Sequence, residues 1–251
     1  MNPENIDIET IKAAKTIDRL FELWRNARQY NSFSNDGIIG SDDLWKQTYP
    51  KIAFLLKEVN DSFCDIHKEP CYGPKGNSPV FWRNLNMWKY IATELLHGRE
   101  CTFSETCAEK ENCVAQIAYV NLKKNAESES RPKSNDADIQ RYVDEDWEFL
   151  NRQIEIIAPD ILFCCGTFKY IKGKIESELE PISKGIYFYR HLLVVEFCHP
   201  SARGGYESNF DSLHEMFRLI PEKYKQRSQT SIQPRITTAS IAEPRPPVSP
   251  T

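Results

Sequence analysis

The fold of this chain turns on the stretch Leu192-Leu193-Val194-Val195-Glu196-Phe197-Cys198-His199-Pro200-Ser201-Ala202-Arg203-Gly204-Gly205. Its first half is a short apolar run, the pattern of a buried strand. Pro200 lacks a backbone donor and restricts His199 to extended geometry, so the strand ends there. A His at a strand exit lies where open α/β sheets hold their ligands. Ser201 adds a hydroxyl and Arg203 a fixed positive charge. Gly204 and Gly205 let a ligand approach the backbone closely. The same residues could form a plain strand-to-turn exit with an incidental His.

Three more segments share this pattern. Lys51-Ile52-Ala53-Phe54-Leu55-Leu56-Lys57-Glu58-Val59-Asn60-Asp61 is an apolar run that opens into a polar, acidic turn. Ile117-Ala118-Tyr119-Val120-Asn121-Leu122-Lys123-Lys124 carries a single Asn at its carboxyl end, and Ile161-Leu162-Phe163-Cys164-Cys165-Gly166 is apolar throughout. Strand candidates separated by helical stretches argue for a parallel sheet covered on both faces. The expectation is a three-layer α/β/α fold around a central, mostly parallel four-stranded sheet.

Between these strands the chain divides simply. Residues 8–30 predict one amphipathic helix, with Ile11, Ala14, Ile17, Phe21 and Trp24 on its inner face. Residues 33–49 read as a loop and a short helix, and residues 81–96, 144–157 and 212–220 as further helices. Residues 127–138 are polar, contain Pro132, and read as a surface loop. From about Arg227 the chain turns rich in Ser, Thr and Pro and cannot bury a core, which predicts a disordered tail. The domain expectation is therefore one α/β domain over residues 1–226 and a tail over 227–251.

Composition limits the class of protein. The 251 residues are 40% hydrophobic and 27% charged, ordinary for a soluble globule large enough for one sizeable core. No apolar run approaches membrane-spanning length and the amino terminus has no secretory pattern, so no membrane association and a cytoplasmic location are expected. The net charge of -4 gives no bulk nucleic-acid-binding signature. A local basic face from Lys123, Lys124, Arg131, Lys133 and Arg203 is compatible with it. Of the 8 cysteines, Cys101, Cys107 and Cys113 recur at even spacing, but no tight Cys-x-x-Cys pair and no common zinc spacing accompanies them. A site completed by Cys64 or Cys71 stays open, although no metal is expected. Cys164, Cys165 and Cys198 read as packing thiols.

Three strand ends that carry, in order, an Asn/Asp cluster, an Asn and a His-Pro-Ser resemble the uracil-DNA glycosylase superfamily over about residues 50–220. Glu58-Val59-Asn60-Asp61 lies over that family's first motif, Gly-x-Asp/Asn-Pro, with Glu58 replacing the Gly and Asp61 the Pro. Val120-Asn121-Leu122 lies over the base-reading strand end, and His199-Pro200-Ser201 over the last motif, with Arg203 placed as in the single-strand-selective branch. The resemblance implies a monofunctional glycosylase acting on DNA, either single-stranded or with the target nucleotide flipped out of a duplex. It also implies no cofactor, and a monomer is expected. Asn60 would position the attacking water, with Asp61 and Glu58 as rivals. His199 would stabilise the departing base, Asn121 would read its edge, and Phe81, Trp82 or Tyr72 would stack on it. Arg203 or Tyr206 would fill the hole left in the duplex. Ser201, with the N–H groups of Gly204 and Gly205, would grip a phosphate. Some bacterial members of the superfamily excise bulky modified cytosines from phage DNA, and the altered first motif is compatible with such a base. The competing expectation is a catalytically silent nucleic-acid or partner-binding module on the same fold. An α/β hydrolase is disfavoured, because no nucleophile elbow or phosphate loop is present.

Overall fold

The computed structural model describes residues 6–30, 32–59, 79–108, 116–125, 135–202 and 204–225. The chain runs through α1 (Ile8–Ala13), α2 (Ile17–Arg28), β1 (Gly37–Ile38), α3 (Asp42–Gln47), β2 (Ile52–Glu58), α4 (Pro79–Leu96) and α5 (Phe103–Ala108). It continues through β3 (Ile117–Lys123), α6 (Asp136–Ile157), β4 (Ile161–Cys165), α7 (Phe168–Ile175), β5 (Leu179–Ser183), β6 (Ile186–Tyr189), β7 (Leu192–Phe197) and α8 (Tyr206–Arg218). Among the described residues these strands form one sheet of seven, not four, in the order β1-β3-β2-β4-β7-β6-β5.

The four strands expected from sequence are its contiguous parallel centre, β3-β2-β4-β7. Three shorter antiparallel strands extend it: β1 along β3, and the β5–β6 hairpin along β7. Their brevity hides them. β1 has two residues, and β5 is largely exposed and irregular at Pro181 and Ser183, so neither carries the apolar run that marks a central strand.

Side chains alternate between the faces of the sheet, and each set has its own helices. Ile52, Phe54 and Leu56 of β2 pack with Ile117 and Tyr119 of β3 under α4 and α8. Ala53, Leu55, Ala118, Val120 and Leu122 pack under α1, α2, α6 and α7 on the other side. Helices therefore cover both faces of an α/β sheet. Trp24, Trp88, Phe54 and Phe163 are among its largest fully buried side chains. Burying each removes on the order of 150–250 Å² from water, which makes the aromatics the dominant contribution to the core.

Two helices depart from expectation at their ends. Residues 8–30 are not one helix: Ala14 leaves the helical region, Thr16 caps a new start by accepting from the Arg19 N–H, and α2 begins at Ile17. The break turns Ile11 and Trp24 onto the same core although they lie on separate helices. α6 starts at Asp136 rather than 144, because Asn135 and Asp138 form a reciprocal capping box there. Residues 127–134 of the expected loop lie outside the described residues.

The strand order matters for function. The chain leaves β2 for β3 on one side and later returns to β4 on the other, so the order reverses at β2. In open α/β sheets the crevice at the carboxyl ends of such a switch point is the ordinary place for a ligand. Glu58 and Lys123 end β2 and β3 side by side, and Cys165 and Phe197 are partners at the ends of β4 and β7.

Candidate functional site

His199 stands at this carboxyl edge, two residues past β7, and is exposed. Its turn closes by the Ala202 N–H donating to the His199 carbonyl at 2.8 Å. The Ser201 N–H donates to His199 Nδ1 at 3.1 Å. A nitrogen that accepts cannot itself carry the proton, so this bond selects the neutral tautomer protonated on Nε2. The imidazole is thereby held as a donor at Nε2, with its other nitrogen occupied by the backbone.

The surroundings hold the turn in place. Asn84 of α4 is buried and donates from Nδ2 to the Pro200 carbonyl at 2.6 Å. Gly166 follows β4 with φ +71° and donates to the Phe197 carbonyl at 2.7 Å. A Cβ at Gly166 would sit 3.8 Å from the His199 backbone nitrogen, in a conformation that L side chains avoid. Thr167, fully buried, donates to the Leu55 carbonyl at 2.9 Å and ties the same corner to β2. Neither Asn84 nor Gly166 was singled out as a site residue from sequence. A Gly directly after an apolar strand was the visible signal for one; a polar residue on a buried helix face was the signal for the other.

Phe81, near the start of α4, lies against this turn, its ring centroid 6.1 Å from that of His199 and 6.1 Å from that of Tyr119. It is buried and part of the core. Cross-strand neighbours share a face, and Asn121 is opposite Leu56, so Asn121 lies on the same face as Tyr119 and Phe81. Asn121 is fully buried. Its backbone N–H and its Nδ2 both donate to Asp36 Oδ2, at 2.7 and 3.0 Å, while its Oδ1 has no partner among the described residues.

Asp36 belongs to a polar cluster that sequence reading missed. Lys124 Nζ donates to Asp36 Oδ1 at 2.5 Å and Gln153 Nε2 donates to the same oxygen at 2.7 Å. Both charges are fully buried. Burial pushes the Lys124 ammonium down from the ordinary lysine range, and the Asp36 carboxylate acts against that shift. The ammonium also lies 5.7 Å from the Phe21 ring centroid and 5.4 Å from that of Trp24.

Lys123 is equally withdrawn. It is 1% exposed, its Nζ lies 3.4 Å from Glu58 Oε2, and it packs 5.1 Å from the Tyr142 ring centroid. Lys123 and Lys124 are thus not part of a basic face, because each sits beside a carboxylate inside the fold. Half-buried Lys57 and exposed Lys169 converge with the Tyr170 hydroxyl on Asp136. Lys169, Tyr170 and Lys57 together hold the Asp136 carboxyl well below the usual carboxylate range.

The remaining predicted residues are scattered or lie elsewhere. Glu58 ends β2 in its ion pair with Lys123. Ser201 is exposed beside His199. Gly204 lies near the Asn209 side chain, and Gly205 caps α8. Tyr206 opens α8 with the Arg83 guanidinium 3.8 Å over its ring, so its face is already covered. Asn60, Asp61, Tyr72 and Arg203 lie outside the described residues, as do Cys64, Cys71, Cys113, Arg131 and Lys133. Cys101 is a buried free thiol whose pKa burial pushes up to about 11, and Cys164 and Cys165 are core thiols. Among the described residues no helix is long and apolar enough to cross a membrane.

No protein-family model matches the chain, and no curated protein matches it. The likeness to the uracil-DNA glycosylase superfamily stands on the strand-end motifs alone.

Proposed function

We propose that the protein is a monofunctional DNA glycosylase of the uracil-DNA glycosylase type. It hydrolyses the N-glycosidic bond of a uracil or modified pyrimidine and leaves an abasic site. The substrate is single-stranded DNA or a nucleotide flipped from a duplex, and the modified cytosines of phage DNA are included among the candidate bases. The observation that carries this reading is the His199 turn at the carboxyl edge of the sheet, in which the Ser201 N–H occupies Nδ1 and leaves the proton on Nε2, beside Phe81.

Breaking the bond builds positive charge on the sugar and negative charge on the departing base. A donor fixed before the reaction stabilises that anion without reorganising. His199 Nε2–H supplies it at the base O2, and a neutral imidazole suffices. Asn60 holds water beneath the sugar C1′, with Asp61 as its rival. Glu58 falls behind both because Lys123 already engages its carboxylate. Asn121 reads the base edge and Phe81 flanks the base. Arg203 contacts the strand, and Ser201 and Gly204 approach a phosphate. The chemistry needs no cofactor, and the protein works in the cytoplasm as a monomer.

One observation favours the silent binding module. Asn121 is closed off from solvent, so a base meets it only when the site opens. Release of free base separates the two. Strands carrying uracil, and phage DNA carrying hydroxymethylated or glucosylated cytosine, are incubated with the protein, and abasic sites are scored by alkaline cleavage. Release that His199→Ala and Asn60→Ala each abolish supports the glycosylase. DNA binding without release from any substrate supports the module.

A further inference from the structure

Asn121, like His199, is a predicted base contact whose surroundings constrain what it can offer. An Asn amide ordinarily presents either end, because its oxygen and nitrogen exchange by a rotation about one bond. Here one side of the amide faces Asp36 Oδ2, which also accepts the Asn121 backbone N–H. The Asp36 side chain receives these donors on Oδ2, and Lys124 Nζ and Gln153 Nε2 on Oδ1, so both of its oxygens act as acceptors. Turning the amide over would set Oδ1 against that carboxylate oxygen, two acceptors in a buried site. The orientation is therefore locked, with Oδ1 directed away from Asp36. Oδ1 is buried and has no partner among the described residues. A buried acceptor left unmet is costly, and a ligand N–H relieves it.

We infer that Asp36, held by Lys124 and Gln153, is a positioning residue that fixes the Asn121 amide so that Oδ1 receives an N–H from the pyrimidine edge. This rests on the glycosylase reading of the site. Uracil offers the ring N3–H beside the O4 acceptor, and cytosine offers the exocyclic amine beside the N3 acceptor. Along the edge the donor and acceptor run in opposite order. A locked amide matches one order; an amide free to rotate accepts both. The Asp36–Lys124 pair thus sets base choice without touching the base.

The test uses binding, so that hydrolysis does not enter. The probes are single-stranded oligonucleotides with one 2′-fluoroarabino-uridine, one 2′-fluoroarabino-cytidine, or neither, since the fluorine disfavours the cationic sugar and keeps the bond intact. Wild-type protein is expected to prefer one analogue over the other by on the order of tenfold or more. Asp36→Leu combined with Lys124→Met removes both charges and the acceptor, and the preference is expected to vanish. Asp36→Asn combined with Lys124→Met also removes both charges but keeps an oxygen for both Asn121 donors, so it is expected to retain the preference. A merely structural role would move both double variants alike. If wild-type protein binds neither analogue more tightly than the unmodified strand, the glycosylase reading fails. If it binds an analogue but shows no preference, or if the Leu/Met variant keeps the preference, the inference alone fails. A measurement on wild-type protein covers the case of a variant that does not fold. The Asn121 side-chain amide, assigned in an asparagine-labelled NMR spectrum by its loss in Asn121→Ser, is expected to exchange slowly with solvent. Rapid exchange overturns the lock.

Discussion

Replacing Lys124 by Met leaves the Asp36 carboxylate buried without its cation, and the cost follows from the geometry. The ammonium and carboxylate are 2.5 Å apart and neither is exposed. Their attraction at that distance is about 7 kcal/mol in a medium of effective dielectric constant near 20. Removing the ammonium from water opposes several kcal/mol of it, so the pair as a whole contributes far less than the attraction alone. Breaking it is another matter, because one charge stays buried: the expected loss is about 3–5 kcal/mol. For a domain of this size that is a fall in Tm of about 10 °C. Asp36→Asn strands the ammonium instead and is expected to cost a similar amount. The double variant Asp36→Asn/Lys124→Met leaves no charge and keeps one side-chain oxygen for Asn121, while Gln153 Nε2 retains the backbone carbonyl of residue 36 at 3.3 Å. Its loss is expected to be below about 3 kcal/mol, well short of the sum of the single losses. Urea unfolding followed by circular dichroism on wild type and the three variants measures all four corners of the cycle. A Lys124→Met protein within about 1 kcal/mol of wild type, or single losses that simply add, would refute the buried pair as a coupled unit.

The other predictions concern the His199 turn and its neighbours. His199→Ala is expected to slow base release by about 10²–10³-fold while leaving urea stability within about 0.5 kcal/mol, because the side chain is exposed; a normal rate removes it from the mechanism. Asn84→Ala deletes the donor to the Pro200 carbonyl and is expected to cost about 1–3 kcal/mol and to lower the turnover rate more than it raises KM. An unchanged rate would show that α4 does not position the turn. Gly166→Ala puts a Cβ where φ is +71°, and about 1–2 kcal/mol of stability is expected to go, with slower base release from a displaced His199; urea unfolding and steady-state rates check both. The Asp136 carboxyl is depressed from its ordinary 3.8. Its contribution is therefore present above about pH 4 and lost as pH falls toward its folded value. The stability gap between wild type and Asp136→Asn is expected to hold from pH 8 to 5 and to shrink below 4, and a gap that widens in acid contradicts the Lys57–Asp136–Lys169 contact.

How far the sequence could be read depended on the range of the signal. The central strands were legible because each is buried on both faces and so appears as an unbroken apolar run. The hairpin of β5 and β6 was not, since β5 is an exposed edge and carries no such run. The break between α1 and α2 was missed because Ile11, Ala14, Ile17, Phe21 and Trp24 keep one helical period straight through it. The His199 turn was found from its Pro and its strand, both local. In sequence Lys123 and Lys124 are compatible with a basic face, since a run of two lysines after a strand carries no sign that a carboxylate awaits each.

By itself the sequence determined the α/β class, the four parallel core strands, and the placement of Asn121 and His199 near strand ends, since these follow from local periodicity and from backbone restrictions at proline. Tertiary structure decided the rest. The reversal of strand order at β2 depends on how both faces of the sheet are covered, which no single segment encodes. Asp36 meets Asn121 across 85 positions of chain and Gln153 across 117. A buried charge survives only where its partners converge, and that convergence exists only in the folded molecule.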